Sequence, residues 1–124
     1  MTVIEAIPQI RTTNIEESID FYVDKLGFDL DFRKGDFYAG IKAGNSRIHL
    51  KLADEKDPSI TFVKQGNHVH LYFFARDTPA IARELKTKGV SLLSEPHDTD
   101  YSKNEFKLED NQGHILYFSE TLGD

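Results

Sequence analysis

Two histidines carry the clearest chemical promise in this sequence. In Ser46–Ala53, the apolar Ile48, Leu50 and Leu52 alternate with Arg47, His49 and Lys51. In Asn67–Ala75, Val69, Leu71, Phe73 and Ala75 alternate with His68, His70, Tyr72 and Phe74. A period of two belongs to a half-buried strand, so His49 and His70 each project from a polar strand face. An imidazole there can touch a ligand, move a proton or bind a divalent metal. Catalytic zinc usually draws three protein ligands, and Glu5, on the polar side of the alternating stretch Val3–Thr12, is the nearby carboxylate that could join the pair. The plain alternative is two hydrogen-bonded histidines with no further role.

Other side chains share that parity. Arg11, Arg47 and Lys51 could hold an anionic group, or could snorkel at the strand ends. Phe32, Phe37, Tyr38, Tyr72, Phe74, Tyr101 and Tyr117 could stack on a planar ligand or simply pack, and parity turns Tyr72 and Tyr117 inward. Tyr101 falls in the polar stretch His97–Lys103, which could cover a cleft mouth. Asp29, Asp31 and Asp36 could attract a cation, but alternating acids more often form a solvated strand face. No Ser–His–Asp spacing, P-loop or dinucleotide fingerprint is present.

Positioning these groups takes strands, and the sequence supplies two similar series of them. Val3–Thr12 alternates. Asn14, with Glu17 three residues on, is a capping-box start, and Ile15, Ser18, Ile19, Tyr22, Val23 and Leu26 recur at helical spacing up to Gly27. The spacing predicts a helix over Ile15–Leu26, then strands at Phe28–Arg33, Phe37–Ala43 and Ser46–Ala53, with a Gly44-Asn45 turn. Asp54–Gly66 is polar and reads as a connection with room for a short strand at Ile60–Val63. The order then repeats: a strand at Asn67–Ala75, a helix opened by Asp77 and Pro79 and closed at Gly89, and strands at Val90–Ser94, Asn104–Glu109 and His114–Glu120. The fold class expected is α+β: two βαβββ repeats, about 1–55 and 67–124, in a single domain over 1–124. Helices would cover the apolar strand faces, leaving curved mixed sheets around a shared cleft.

Composition narrows the setting. A chain of 124 residues with 39% hydrophobic and 29% charged residues suits one small globular unit that often gains stability by dimerising. With no cysteine, disulfides and thiolate metal sites are excluded. A net charge of −6 argues against nucleic acid as a partner. There is no basic-then-apolar leader pattern and no apolar run near membrane-spanning length, so the expected setting is cytoplasmic, away from the membrane.

Three segments, in order, resemble one family. Ser18-Ile19-Asp20-Phe21-Tyr22 with Leu26-Gly27-Phe28 resembles the first helix of the vicinal-oxygen-chelate superfamily, which holds glyoxalase I, bleomycin-resistance proteins and extradiol dioxygenases. Leu85-Lys86-Thr87-Lys88-Gly89-Val90 resembles the end of its second helix, and Glu109-Asp110-Asn111-Gln112-Gly113-His114-Ile115-Leu116-Tyr117-Phe118 its final hairpin. The resemblance places the four metal-ligand positions at Ile7, His49, His70 and Tyr117. Ile7 has no donor atom, and a neutral phenol such as Tyr117 is a poor ligand for a divalent ion. The pattern is similar to the bleomycin-resistance branch, whose members lack the metal and bind the drug in the cleft of a dimer.

That branch implies a non-catalytic binder without cofactor: a homodimer, strand-exchanged near Pro8 or side by side, that sequesters a bulky aromatic or cationic molecule. Its ligand contacts would be His49, His70, Tyr72, Tyr117, Phe32, Phe37, Tyr38, Tyr101 and Arg11. Two departures weigh against a bleomycin-like guest: the chain has no Trp for stacking, and Arg11 with Arg47 and Lys51 would oppose a cationic drug. The alternative the superfamily implies is a metal-dependent lyase, isomerase or dioxygenase using His49 and His70, with Glu5 as an unexpected third ligand. A third reading is a cleft for some unrelated metabolite.

Overall fold

The computed structural model describes residues 1–123. The chain divides into two compact units, the first over Met1–Asp57 and the second beginning at Pro58.

In the first unit, β1 (Gln9–Thr12) leads through the Asn14 cap into α1 (Ile15–Ile19). The Asn14 side chain accepts from Glu17 N at 3.0 Å, satisfying one of the donors a helix start leaves open. Beyond Ile19 the helix widens into a π-helical segment, Asp20–Lys25, and Leu26 N donates to Phe21 O, five residues back. Gly27 then turns the chain at φ +80°. Three strands follow: β2 (Asp29–Lys34), β3 (Tyr38–Ala43) and β4 (Ser46–Leu52). The sheet order is β1-β4-β3-β2, with β1 parallel to β4 and the other pairs antiparallel. Ile10, Ala39, Ile41, Ile48 and Leu50 point to the helix, where Ile15, Ile19 and Tyr22 meet them, all buried. Each such aliphatic side chain taken out of water contributes about 1.5–3 kcal/mol.

The second unit repeats the plan behind an extra helix. α2 (Ser59–Gln65) precedes β5 (Leu71–Phe74), α3 (Thr78–Thr87), β6 (Leu92–Asp98), β7 (Lys103–Glu109) and β8 (Ile115–Thr121). The order β5-β8-β7-β6 mirrors that of the first sheet, again with one parallel pair. Phe106 and Phe118 stack at 5.3 Å and Phe73 and Phe118 at 5.0 Å, forming the centre of the apolar layer under α3. The fold is thus α+β, two βαβββ modules each carrying a four-stranded mixed sheet.

Four departures from the sequence expectation exceed two residues, each for a local reason. The first strand begins at Gln9 rather than Val3. Pro8 has no N–H to donate to the ladder, although its carbonyl still accepts from His49 N at 2.9 Å. The first strand of the second unit begins at Leu71 rather than Asn67, because its partner β8 begins at Ile115 and Asn67 is left-handed at φ 57°. Ile60–Val63 is helical, not a strand: Pro58 fixes the opening turn, and Ile60 packs toward the backbone of Gly113. β6 runs on to Asp98 through Pro96, which the strand tolerates because it is the sheet edge and its register shifts there.

Candidate functional site

The polar sheet face of the first unit gathers several of the singled-out side chains. Gly40 on β3 lies directly between Phe32 on β2 and His49 on β4. The Phe32 ring lies across Gly40, stacks beside Tyr38 at 6.1 Å and meets His49 edge-on at 5.3 Å. Tyr38 Oη is 2.7 Å from His49 Nδ1 and accepts from Gln9 Nε2 at 3.2 Å. In the tautomer with its proton on Nε2, His49 accepts the phenol hydrogen at Nδ1. Arg11 donates from Nε to Gln9 Oε1, extending the chain of contacts along β1. Phe37 lies in the turn before β3 and is 57% exposed.

The second unit builds a more enclosed site. Tyr72 on β5, Ser119 on β8 and Glu105 on β7 share one face, with Glu105 directly opposite Ser119. Glu105 is only 3% exposed. Its Oε2 accepts from Tyr72 at 2.7 Å, and its Oε1 accepts from Tyr101 at 2.6 Å. Tyr72 also contacts Ser119 Oγ at 3.1 Å. Burial alone would raise the Glu105 pKa, but the hydroxyls of Tyr101, Tyr72 and Ser119, with His97 nearby, outweigh it and hold the carboxyl below its ordinary value. The bond to Glu105, with desolvation, pushes the Tyr101 phenol up to about 12. Burial and the same carboxylate raise Tyr72. At neutral pH the cluster is therefore one carboxylate and two phenol donors.

A cavity of about 270 Å³ opens beside this cluster, lined by Asn67, Ser94, His97, Tyr101, Glu105, Phe106, Lys107 and Tyr117. A second hollow of about 180 Å³ also touches Asn67 and Lys107. Lys107 donates to Asn67 Oδ1 at 2.8 Å and lies 5.8 Å from the centre of the Tyr117 ring.

His70 is held differently. Ile115 N donates to its Nδ1 at 2.9 Å, so that nitrogen carries no proton, and Nε2 faces Ser59 Oγ at 3.1 Å. Its ring meets the buried His114 edge-on at 4.9 Å, and His114 Nδ1 lies 2.9 Å from Asp110 Oδ2. Nδ1 of His70 thus ties the residue ahead of β5 to the start of β8, and Nε2 faces the start of α2.

These positions do not fit the metal that the superfamily pattern implies. His70 has no lone pair left for an ion, Ile7 brings no donor, and Glu5 lies 3.8 Å from Arg47 as an ion pair. Among the described residues, no group of three or more His, Asp or Glu side chains is placed to hold a metal. The structure brings Phe32, Tyr38, His49 and Arg11 together in the first unit, and Tyr72, Tyr101 and Tyr117 in the second. It does not bring Phe37 into the aromatic contact of Phe32, Tyr38 and His49.

Sequence reasoning missed Glu105, Ser119, Lys107 and Asn67. The signal for Glu105 and Lys107 was there: in β7, Lys103, Glu105, Lys107 and Glu109 alternate with Asn104, Phe106 and Leu108. That parity gives the face, but not the neighbours, which depend on the order β5-β8-β7.

The model of the glyoxalase/bleomycin resistance protein/dioxygenase superfamily matches residues 4–118. The chain belongs to that superfamily. An uncharacterized protein of Mycolicibacterium smegmatis is 32% identical over 113 residues, covering 91% of this chain and 90% of that protein. Solved structures share the fold. The superfamily protein of Alicyclobacillus acidocaldarius aligns with a TM-score of 0.77 at 20% identity, covering 96% of this chain and 92% of the other. The bleomycin-binding protein of Streptomyces verticillus, solved with copper(II)-bleomycin, aligns at 0.69 and 21% identity, covering 100% and 99%. Identities this low establish the superfamily fold and leave the guest to be argued from the site. In membrane terms, no helix among the described residues is long and apolar enough to cross a bilayer.

Proposed function

We propose that this superfamily member binds and sequesters a small organic molecule with a flat aromatic part, in the manner of a bleomycin-resistance protein and without chemistry of its own. The observation that carries the reading is the cavity beside Glu105. It offers a ring wall at Tyr117, hydroxyl donors, and a carboxylate kept ionised although almost fully buried. A few converging polar groups among rings is the usual make-up of a small-molecule pocket. The aromatic face of Phe32, Tyr38 and His49 offers a second stacking surface. The likeness of fold to the Streptomyces verticillus protein makes bleomycin the first guest to try.

Titration of the protein with metal-free bleomycin should give a saturable quench of tyrosine fluorescence, with heat released in parallel by calorimetry. No response in either at high micromolar drug would overturn the bleomycin-type reading.

We further propose that the binder is a homodimer. Val3 and Ile4 precede β1 with 67% and 92% exposure, and apolar side chains left open at a chain end are suited to cover by a second copy.

A further inference from the structure

We infer that Glu105 is the anchor for a planar cationic group of the ligand, an amidinium, guanidinium or aryl ammonium, and that the Tyr101 hydroxyl fills this anchor until such a group displaces it. The inference deepens the binding function proposed above and rests on it.

The chemistry of a buried carboxylate limits what can sit on it. An ionised carboxylate is acceptor-only, so each group on its oxygens must donate. Two neutral phenols hold that role here, Tyr72 on Oε2 and Tyr101 on Oε1. They are not equally fixed. Tyr72 belongs to β5 and is tied to Ser119 as well. Tyr101 sits in the turn between β6 and β7, ahead of the left-handed Ser102, and is 60% exposed. If Tyr101 swings away, its hydroxyl returns to water at little cost. If Glu105 then stayed empty, one carboxylate oxygen would lack a partner in a desolvated site. Only a donor can take the vacated place, and a cationic N–H donor makes roughly twice as strong a bond to a carboxylate as a neutral one.

The neighbouring cations do not compete for that place. Lys103 and Lys107 flank Glu105 on the same strand face, but each is turned onto a ring. Lys103 lies 4.9 Å from the Phe74 centroid and donates to Thr121 Oγ1, and Lys107 lies over Tyr117 and donates to Asn67. The remaining titratable neighbour, His97, uses Nδ1 on Glu95 O. Tyr117 gives the cavity a flat aromatic wall. At about 270 Å³ the cavity suits one ring with a cationic substituent, so a bulky ligand would insert one end and leave the rest outside.

The test compares 4-aminobenzamidine with its neutral isostere 4-aminobenzamide, by two-dimensional NMR titration of the wild type, Glu105→Gln and Tyr101→Phe. Unchanged circular dichroism and a cooperative thermal transition well above the titration temperature serve as the folding control. The wild type should bind the amidine and not the amide. Glu105→Gln should weaken amidine binding by about tenfold or more, the range of a charged hydrogen bond. Tyr101→Phe should tighten it several-fold, because the competing donor is gone while the carboxylate stays. A merely structural Tyr101 would give no change or weaker binding, and that result overturns the displacement step. Equal amidine affinity in Glu105→Gln and wild type, or no amidine binding at millimolar probe, overturns the anchor. Bleomycin titrated into the same variants separates the two readings. Equal drug binding with and without Glu105 removes the anchor and keeps the binding function. The amidine pattern without any drug binding keeps the anchor and removes the bleomycin-type function.

Discussion

Gly40 shows how much a single residue decides at the site of the first unit. A Cβ built there would lie 2.2 Å from Phe32 Cε1 and 2.6 Å from Cδ1, well inside contact distance. The hydrogen at this position lets the Phe32 ring cross the sheet and reach both Tyr38 and His49. Gly40→Ala should push the ring off the sheet. The expected cost is about 1–3 kcal/mol, the usual range for overpacking, seen as a lower urea midpoint, together with a changed near-ultraviolet circular dichroism as the Phe32–Tyr38 stack opens. An unchanged near-ultraviolet spectrum would show that the ring can shift without leaving the face. The sequence marked Phe32 and Tyr38 by type and His49 by parity. It gave no sign that Gly40 was what let them meet, because strand pairing sets which residue lies beneath a ring.

At the scale of elements, α3 is started by a residue from another element. Glu120 at the end of β8 accepts from Thr78 N at 2.9 Å, Asp77 N at 3.1 Å and Thr78 Oγ1 at 2.8 Å. The left-handed Asp77 also caps the helix by accepting from Ala80 N. These bonds from Thr78 and Asp77 hold the Glu120 carboxyl below its ordinary pKa. A carboxylate with a lowered folded pKa stabilises the protein above its unfolded pKa, ordinarily about 4.3. That stabilisation is lost as pH falls through the lower folded value. The thermal midpoint of the wild type should therefore drop through this acid range, and Glu120→Gln should start lower at neutral pH and drop less steeply. Parallel curves for the two proteins would refute a role for the Glu120 charge. Glu105 acts in the same direction, so some acid sensitivity should remain in the variant. Asp77 was legible as a cap from its type and its place before Pro79. Glu120 was not, because its partners lie 42 and 43 residues earlier in the chain.

For the molecule as a whole, the proposed homodimer sets the expected mass. A chain of 14.2 kDa should sediment at about twice that mass if the proposed homodimer forms. Replacing both Val3 and Ile4 by Asp should return it to the monomer mass if the segment ahead of β1 lies in the interface. A wild type that sediments as a monomer at tens of micromolar would remove the dimer from the proposed function. The repeat itself was plain from the order of helix starts, glycine stops and alternating stretches, because each depends on neighbours only a few residues apart. By itself the sequence determined the α+β class, the two modules, the apolar sides of β4 and β5, and the superfamily. It did not show where the strands start, which pairing sets: β1 starts after Pro8, which has no N–H for the ladder, and β5 starts where its partner β8 does, near Ile115. Nor could it tell that His70 is tied to β8, or that Glu105 sits beneath two tyrosines. Strand parity is a local property of the backbone and can be read from the chain. Which donors surround a buried carboxylate depends on strand order, and only the folded sheet supplies that.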